Sequence, residues 1–340
     1  MIKTTLNKLF EKEDLTFLEA EEVANLLMSG KVNNSQIASL LTALRIKGET
    51  ANEIAGFANA MRNNGVKLIA NSENLIDVCG TGGDNSGSFN ISTAVSFVVS
   101  GAGINVAKHG NRSITSKSGS SDVLKELGVN IELSPEQSQK ALNEIGIAFL
   151  FAPIYHPAMK NVAPTRLELG FKTIFNVLGP LTNPANTKTQ MIGTYNYEIA
   201  SKMAEAAKIL QMNRVAFICT NNQFDEITLT DNSQIFEING NNPVSVSQIN
   251  ANTFNFKQIS IEEIKGGTPE ENSKIILDIL NNRSSESQFN VVVANAAIAL
   301  YTSGKFLNIS EAQEAATNSI KSGKALEKLN KLVKFGQNYA

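Results

Sequence analysis

At 340 residues and 36.6 kDa the chain is long enough for about two domains and a sizeable core. Its 32 acidic and 30 basic residues leave a net charge of −2, which argues against a general binder of nucleic acid or anionic membranes and leaves room for a local basic pocket. The only cysteines are Cys79 and Cys219 and the only histidines His109 and His156, which excludes a disulfide framework, a cysteine-rich zinc site and a multi-histidine metal centre.

Met1–Thr4 leads into a polar stretch with no signal-peptide core. The longest apolar run, Val291 to Leu300, contains Asn295 and falls far short of the ~20 residues of a membrane span. A cytoplasmic protein without membrane contact is therefore expected. Thr16-Phe17-Leu18-Glu19 is a capping-box pattern opening a helix that runs to Gly30. A second helix fits Ser35 to Ile46, and Thr50-Ala51-Asn52-Glu53 opens a third that ends near Gly65. Beyond Leu75, short apolar runs alternate with longer amphipathic ones. Strands are predicted at Ile76–Val78, Ile104–Ala107, Ala148–Phe151, Val215–Ile218 and Ile227–Leu229. Helices are predicted at Ile91–Ser100, Ser120–Leu127, Pro135–Ile145 and Ile199–Leu210, with later starts near Pro269, Ser284, Ser310 and Gly323. The alternation implies an α/β fold with a mainly parallel central sheet, preceded by a small helical N-terminal domain. The expected division is 1–68, with part of 160–190 packing on it, and 69–340.

Four stretches carry chemistry. In Asp77-Val78-Cys79-Gly80-Thr81-Gly82-Gly83-Asp84 a strand ends in a glycine loop, and a helix starts near Asn90 to Thr93. Glycines allow close backbone approach, and free N–H groups at a helix start favour an anion such as phosphate; a plain tight turn explains the glycines equally well. Neither a Walker A loop nor a G-x-G-x-x-G spacing is present. The second stretch, Lys108-His109-Gly110-Asn111-Arg112-Ser113 and on to Ser116-Lys117-Ser118-Gly119-Ser120, is read as a polar loop following a strand end, where open α/β sheets bind ligands. It reads as an anion site better than as a solvated charged loop. In the third, His156 to Pro184, Gly179-Pro180 and Asn183-Pro184 mark a constrained connection. Arg166 there suits bidentate binding of a carboxylate, with an ordinary ion pair as the alternative. The fourth, Asp225-Glu226, offers hard oxygen ligands suited to Mg²⁺, though such pairs are also common in turns.

Together these stretches closely resemble the anthranilate phosphoribosyltransferase family, most specifically in Gly80–Asp84, Lys108–Arg112 and His156–Pro184. The resemblance implies a fold of the nucleoside phosphorylase/phosphoribosyltransferase type, paired as a homodimer. It also implies transfer of a phosphoribosyl group from phosphoribosyl pyrophosphate (PRPP) to the amine of anthranilate in tryptophan biosynthesis, with no nucleic-acid partner. It assigns PRPP to Gly80, Gly83, Asp84, Ser88, Asn90, Ile91, Ser92, Thr93, Lys108 to Ser116 (including Gly110, Arg112 and Ser113) and Ser120. It assigns Mg²⁺, two ions per site, to Ser92, Asp225 and Glu226, and anthranilate to Gly80, Asn111 and Arg166. Lys108, Asn111 and Arg166 are the expected catalytic residues. His109, the only histidine expected near these loops, would take a proton or serve in packing and hydrogen bonding, while His156 reads as structural. Departures from the family's commonest pattern are Lys172 for Arg, Thr165 for Val, and Gln223-Phe224 where a Gly precedes the acidic pair. Gln223 puts the bend of the metal loop in question. The rivals are a pyrimidine nucleoside phosphorylase, disfavoured by Asp225-Glu226 and Asn111-Arg112, and a non-catalytic nucleic-acid-binding relative, opposed by the net charge.

Overall fold

A computed structural model describes residues 1–70, 74–84, 86–112 and 118–339. Four helices come first: α1 (Ile2–Phe10), α2 (Phe17–Met28), α3 (Asn34–Lys47) and α4 (Ala51–Asn64). Both expected capping boxes form, Thr16 with Glu19 and Thr50 with Glu53. Glu53 also accepts the Leu15 N–H at 2.9 Å and the Lys47 ammonium at 3.0 Å, so one buried carboxylate ties three segments together. At Gly56 a Cβ would sit 2.5 Å from the Phe17 carbonyl, which is why α2 and α4 can approach so closely.

An α/β unit follows. It begins with β1 (Leu75–Gly80), α5 (Ile91–Gly101), β2 (Asn105–Gly110), α6 (Ser120–Glu126), α7 (Pro135–Ile145) and β3 (Ile147–Phe151). Short helices α8 (Ala152–Tyr155), α9 (Ala163–Leu169) and α10 (Phe175–Leu178) lead to β4 (Thr189–Gly193), α11 (Tyr197–Ile209), β5 (Arg214–Thr220), β6 (Ser233–Asn239) and β7 (Ser245–Ile249). Helices α12 (Pro269–Leu280), α13 (Glu286–Thr302), α14 (Ile309–Lys321) and α15 (Lys324–Gln337) end the fold. The seven strands lie in the order β3-β2-β1-β4-β5-β6-β7, parallel from β3 to β5 and antiparallel at β6 and β7.

Two apolar cores sit on either side of this sheet. The larger is centred on α5 and on α13, whose residues from Val291 to Leu300 are buried throughout. The second joins the first four helices to Val162, Ile174, Phe175, Leu178 and Leu181, to α11, and to Val215 and Phe217 on one face of β5. None of the described helices is long and apolar enough to cross a membrane.

The structure corrects one predicted strand and adds three. Ile227–Leu229 forms no strand, because Asn295 from α13 receives the Ile227 N–H at 3.0 Å and donates to its carbonyl at 2.8 Å. A side-chain amide thus replaces a ladder, and Leu229 turns the chain with φ +59°. Strands β4, β6 and β7 were not anticipated, and neither was α1.

Candidate functional site

The connections from β1 and β4 diverge, β1 leading through α5 to β2 on one side and β4 through α11 to β5 on the other. In open α/β sheets the carboxyl ends at such a switch point form the binding crevice. Gly80 and Gly193 are register partners there, and Thr81 N–H donates to the Gly193 carbonyl at 2.9 Å.

Onto these two glycines folds the Asp225-Glu226 turn. A Cβ on Gly80 would lie 2.6 Å from Asp225 Oδ2 and displace that carboxylate, and one on Gly193 would lie only 1.6 Å from the Asp225 carbonyl oxygen, so the backbone there admits glycine alone. Gly82 N–H donates to Asp225 Oδ2 at 2.9 Å, and Ser92 N–H to Glu226 Oε1 at 3.1 Å. The Thr220 hydroxyl holds the turn by donating to the Glu226 carbonyl at 2.6 Å. Left-handed backbone in this loop falls on Asn221 and Asn222, so Gln223 stands where no glycine is needed.

Burial pushes the Asp225 carboxyl well above the usual range, and neighbouring Asp84 pushes it further. Glu226 is raised strongly by burial and by Asp225, with Lys108 opposing. None of Asp84, Asp225 and Glu226 forms an ion pair among the described residues, so the turn concentrates acidic groups with little compensation. Among the described residues no group of three or more His, Cys, Asp or Glu side chains closes around one point. Such a donor set fits Mg²⁺, which takes one or two carboxylates and fills its shell with water and substrate phosphates.

Between strand and helix, Gly82 and Gly83 are both left-handed, at φ +66° and +73°. Asp84 Oδ1 accepts the Ser86 N–H at 3.1 Å, and the Ser86 and Ser88 hydroxyls lie 3.0 Å apart. Asn90 precedes α5 without capping it. Its amide instead donates to the Ser118 carbonyl at 3.1 Å and accepts from Asn272 at 2.9 Å. Ile91 is buried in the core, so it can offer a ligand only backbone, while the buried Thr93 hydroxyl has no partner among the described residues.

Lys108, His109 and Gly110 lie within β2 rather than in a loop after it. Alternation along the strand sends the first two side chains to opposite faces. Lys108, only 3% exposed, donates to the Val78 carbonyl at 2.7 Å and reaches the Ser92 hydroxyl at 3.4 Å. Its pKa is lowered by burial, against the pull of Asp77. His109 Nδ1 lies 3.1 Å from the Gly179 carbonyl, and its ring sits 5.2 Å from that of His156. Burial and His156 depress His109 to about 3, and burial depresses His156 to about 4. A base that weak is poorly suited to take a proton near neutrality, which leaves the packing and hydrogen-bonding role. His109 is also not the lone histidine of the region.

At Gly110 a Cβ would meet Ser120 Oγ at 2.3 Å, and Ser120 donates to the Asn111 carbonyl at 3.3 Å. Arg112 turns away, over the Phe151 ring at 5.4 Å and towards Glu132 at 3.8 Å, with its side chain 61% exposed. Ser113 and Ser116 lie outside the described residues. Arg166, on α9, places its guanidinium 5.3 Å from the Phe175 ring and forms no ion pair among the described residues.

Sequence reasoning missed Asp77. Wholly buried on β1, it accepts from His109 N–H at 3.2 Å, from Asn183 at 2.7 Å and from Gln190 at 3.2 Å. Asn183-Pro184 reads only as a turn, yet its amide anchors the sheet centre, donating also to the Ala107 carbonyl at 2.8 Å. Lys172 and Asn272 were missed as contacts of the first loop and of Asn90; isolated polar residues far along the chain carry no local signal.

Comparison with known proteins gives one consistent result. The α/β-domain model of a glycosyl transferase family matches residues 72–326, and its helical-bundle-domain model matches 3–65. An anthranilate phosphoribosyltransferase of Persephonella marina is 40% identical over 338 residues, 99% of each chain. That of Acetivibrio thermocellus is 43% identical over all of this chain and 98% of its own. Among solved structures, the anthranilate phosphoribosyltransferase of Thermus thermophilus superposes with TM-score 0.92 at 36% identity, covering 98% of this chain and 99% of that one. The Saccharomyces cerevisiae enzyme in complex with PRPP and Mg gives 0.90 at 25% identity, covering 99% and 98%.

Proposed function

The chain belongs to the anthranilate phosphoribosyltransferase family, and from that premise we propose how its own residues divide the work. The reaction moves the 5-phosphoribosyl group from PRPP to the amine of anthranilate, releasing pyrophosphate, as a step of tryptophan biosynthesis. The observation that carries the reading is the Asp225-Glu226 turn seated on Gly80 and Gly193 at the start of α5, where Glu226 accepts the Ser92 N–H.

Gly80, Gly83, Asp84, Ser88 and Asn90 to Thr93 receive the phosphates and ribose of PRPP, together with Lys108 to Gly110 at the end of β2, the residues from Asn111 to Ser116, and Ser120. The glycines bring backbone N–H groups close, and the α5 start adds its dipole. Ser92, Asp225 and Glu226 hold magnesium, and the surplus of carboxylates supports two ions. Bound there, Mg²⁺ neutralises charge on the departing pyrophosphate. Lys108 adds fixed positive charge from within the sheet, where it needs no reorganisation. Asn111 and Arg166, with Gly80, orient anthranilate through its carboxylate. An aromatic amine is neutral at pH 7, so alignment with the anomeric carbon serves it more than a strong base does.

The division into 1–68, with part of 160–190 packing on it, and 69–340 remains the working boundary; Val162, Ile174, Phe175, Leu178 and Leu181 share the core of the first four helices, which continues onto α11 and β5. A homodimer is supported by apolar side chains left exposed on the helical unit, Phe10 at 63% and Ile46 at 75%. A cytoplasmic setting suits charged, water-soluble substrates.

The test is the loss of anthranilate fluorescence on adding PRPP and Mg²⁺, coupled to detection of pyrophosphate. Folded protein that gives neither signal sinks the reading.

A further inference from the structure

Lys172 lies between α9 and α10, on a segment whose apolar neighbours pack with the first helices. Its ammonium donates to the Gly83 carbonyl at 2.7 Å and stands 3.5 Å from the centre of the Tyr195 ring, just beyond β4. A Cβ on Gly83 would meet this side chain at 3.0–3.1 Å, so the contact is close as well as polar. One cation thus joins three segments at the mouth of the crevice.

The loop it touches is otherwise loosely held. Gly82 N–H is fixed by Asp225 at 2.9 Å, and Asp84 Oδ1 holds the Ser86 N–H. Between those points lie two successive left-handed glycines, for which many backbone orientations are accessible. In a trans peptide the carbonyl and the following N–H point in opposite directions. Drawing the Gly83 carbonyl towards Lys172 therefore turns the Asp84 N–H away from it. No described residue accepts from Gly83 N–H or Asp84 N–H. Consecutive N–H groups presented by left-handed turns form an anion-binding concavity.

We infer that Lys172 is a positioning residue: by capping the Gly83 carbonyl it sets the Gly83–Asp84 peptide so that the Asp84 N–H is presented to the pyrophosphate group of PRPP. The inference rests on the reading that this loop receives PRPP. Lys172 itself touches no reacting atom; it acts through the peptide it pins. Without it the peptide rotates freely, and binding of the donor must supply the order.

The test compares Lys172→Met, which keeps the stem and loses the donor, with Lys172→Arg, which keeps a charged donor. With each substrate varied in turn, Lys172→Met raises KM for PRPP on the order of tenfold, the loss expected for one charge-assisted hydrogen bond. KM for anthranilate and kcat stay within about twofold, and Lys172→Arg restores most of the PRPP affinity. Should the Met variant fail to fold by circular dichroism, Lys172→Gln takes its place with the same expectation. Calorimetric titration with Mg²⁺ and inorganic pyrophosphate gives an arm independent of turnover, in which Lys172→Met binds more weakly. An unchanged KM for PRPP, an equal rise in both KM values, or failure of Arg to restore it overturns the role. If the unmodified protein binds pyrophosphate but transfers nothing, and Lys172→Met loses that binding, the role stands and the transferase reading falls. Protein that binds no pyrophosphate removes both.

Discussion

Asp225 accepts the Gly82 N–H at 2.9 Å across 143 residues of chain, and so fastens the turn after β5 to the glycine loop after β1. Two loops that share no sequence proximity thus line one side of the crevice. Asp225 and Glu226 are half-buried acids whose ionised forms the protein disfavours. The double amide Asp225→Asn, Glu226→Gln keeps their shape and removes the charge. Magnesium-dependent turnover should fall by about two to three orders of magnitude, as when a transition-state electrostatic contact is lost. The thermal midpoint without metal should hold or rise, since burying a neutral amide costs less than burying a carboxylate. Retained activity with retained metal dependence would show that the metal residues are misassigned.

The same packing predicts opposite outcomes at two glycines. Gly193→Ala places a Cβ 1.6 Å from the Asp225 carbonyl oxygen, a backbone atom that no rotamer change can relieve. The Asp225-Glu226 turn must lift off β4, at a cost of about 1–3 kcal/mol or more, and turnover should drop with it. Gly179→Ala meets nothing within 4 Å, in a residue with helical φ of −45°. Lower unfolded-state entropy should make that variant neutral or more stable by about 0.4–1 kcal/mol. Urea unfolding of the two proteins reads the contrast directly, and equal stabilities would contradict it.

The helices and the crevice were legible in sequence for a common reason: their signals are local. Thr16 with Glu19 and Thr50 with Glu53 announce helix starts within four residues, and the helix at Pro135–Ile145 is found with its predicted ends. Gly80 to Asp84 announces a loop at a strand end in the same way. What escaped depends on partners distant in sequence. Ile227-Thr228-Leu229 has strand composition, and only Asn295, 68 residues away, diverts it. Strand β7 is mostly exposed and short, so its pattern differs little from that of a loop. Lys108 was expected in a loop because a charge inside a sheet is unusual; it is tolerated beside the Val78 carbonyl and Asp77.

The adjacent histidines, with rings tilted 59° to each other, predict an acid sensitivity. Both are neutral in the fold, with pKa values of about 3 for His109 and about 4 for His156, against an ordinary 6.5. Between those values and 6.5 the unfolded chain binds more protons than the folded one, so stability rises with pH across that window. It is fully present above about pH 6.5 and is lost as pH falls towards 4. At pH 5 each histidine should cost about 2 kcal/mol relative to pH 7. Urea midpoints at pH 7, 6 and 5 measure the slope, and His156→Gln should roughly halve its histidine component. A slope unchanged by that substitution would exclude His156 as a source.

Arg166 stands out because its charge has no counter-ion among the described residues. The guanidinium lies 5.3 Å from the Phe175 ring, and burial lowers its pKa, so the resting fold holds this cation at some cost. A carboxylate ligand would relieve that cost with two parallel hydrogen bonds, a geometry that lysine's single ammonium does not reproduce. Arg166→Ala should therefore weaken anthranilate binding by about 1.5–3 kcal/mol, roughly ten- to a hundredfold in KM. KM for PRPP should hold, and Arg166→Lys should recover only part of the loss. Stability offers the contrasting readout: the variant forfeits a ring contact of about 0.5–1 kcal/mol but also sheds a half-buried charge, leaving the unfolding midpoint near its starting value. A structural ion pair would behave the other way, with lower stability and an unmoved anthranilate KM, and that pattern would end the assignment of Arg166 to the substrate carboxylate.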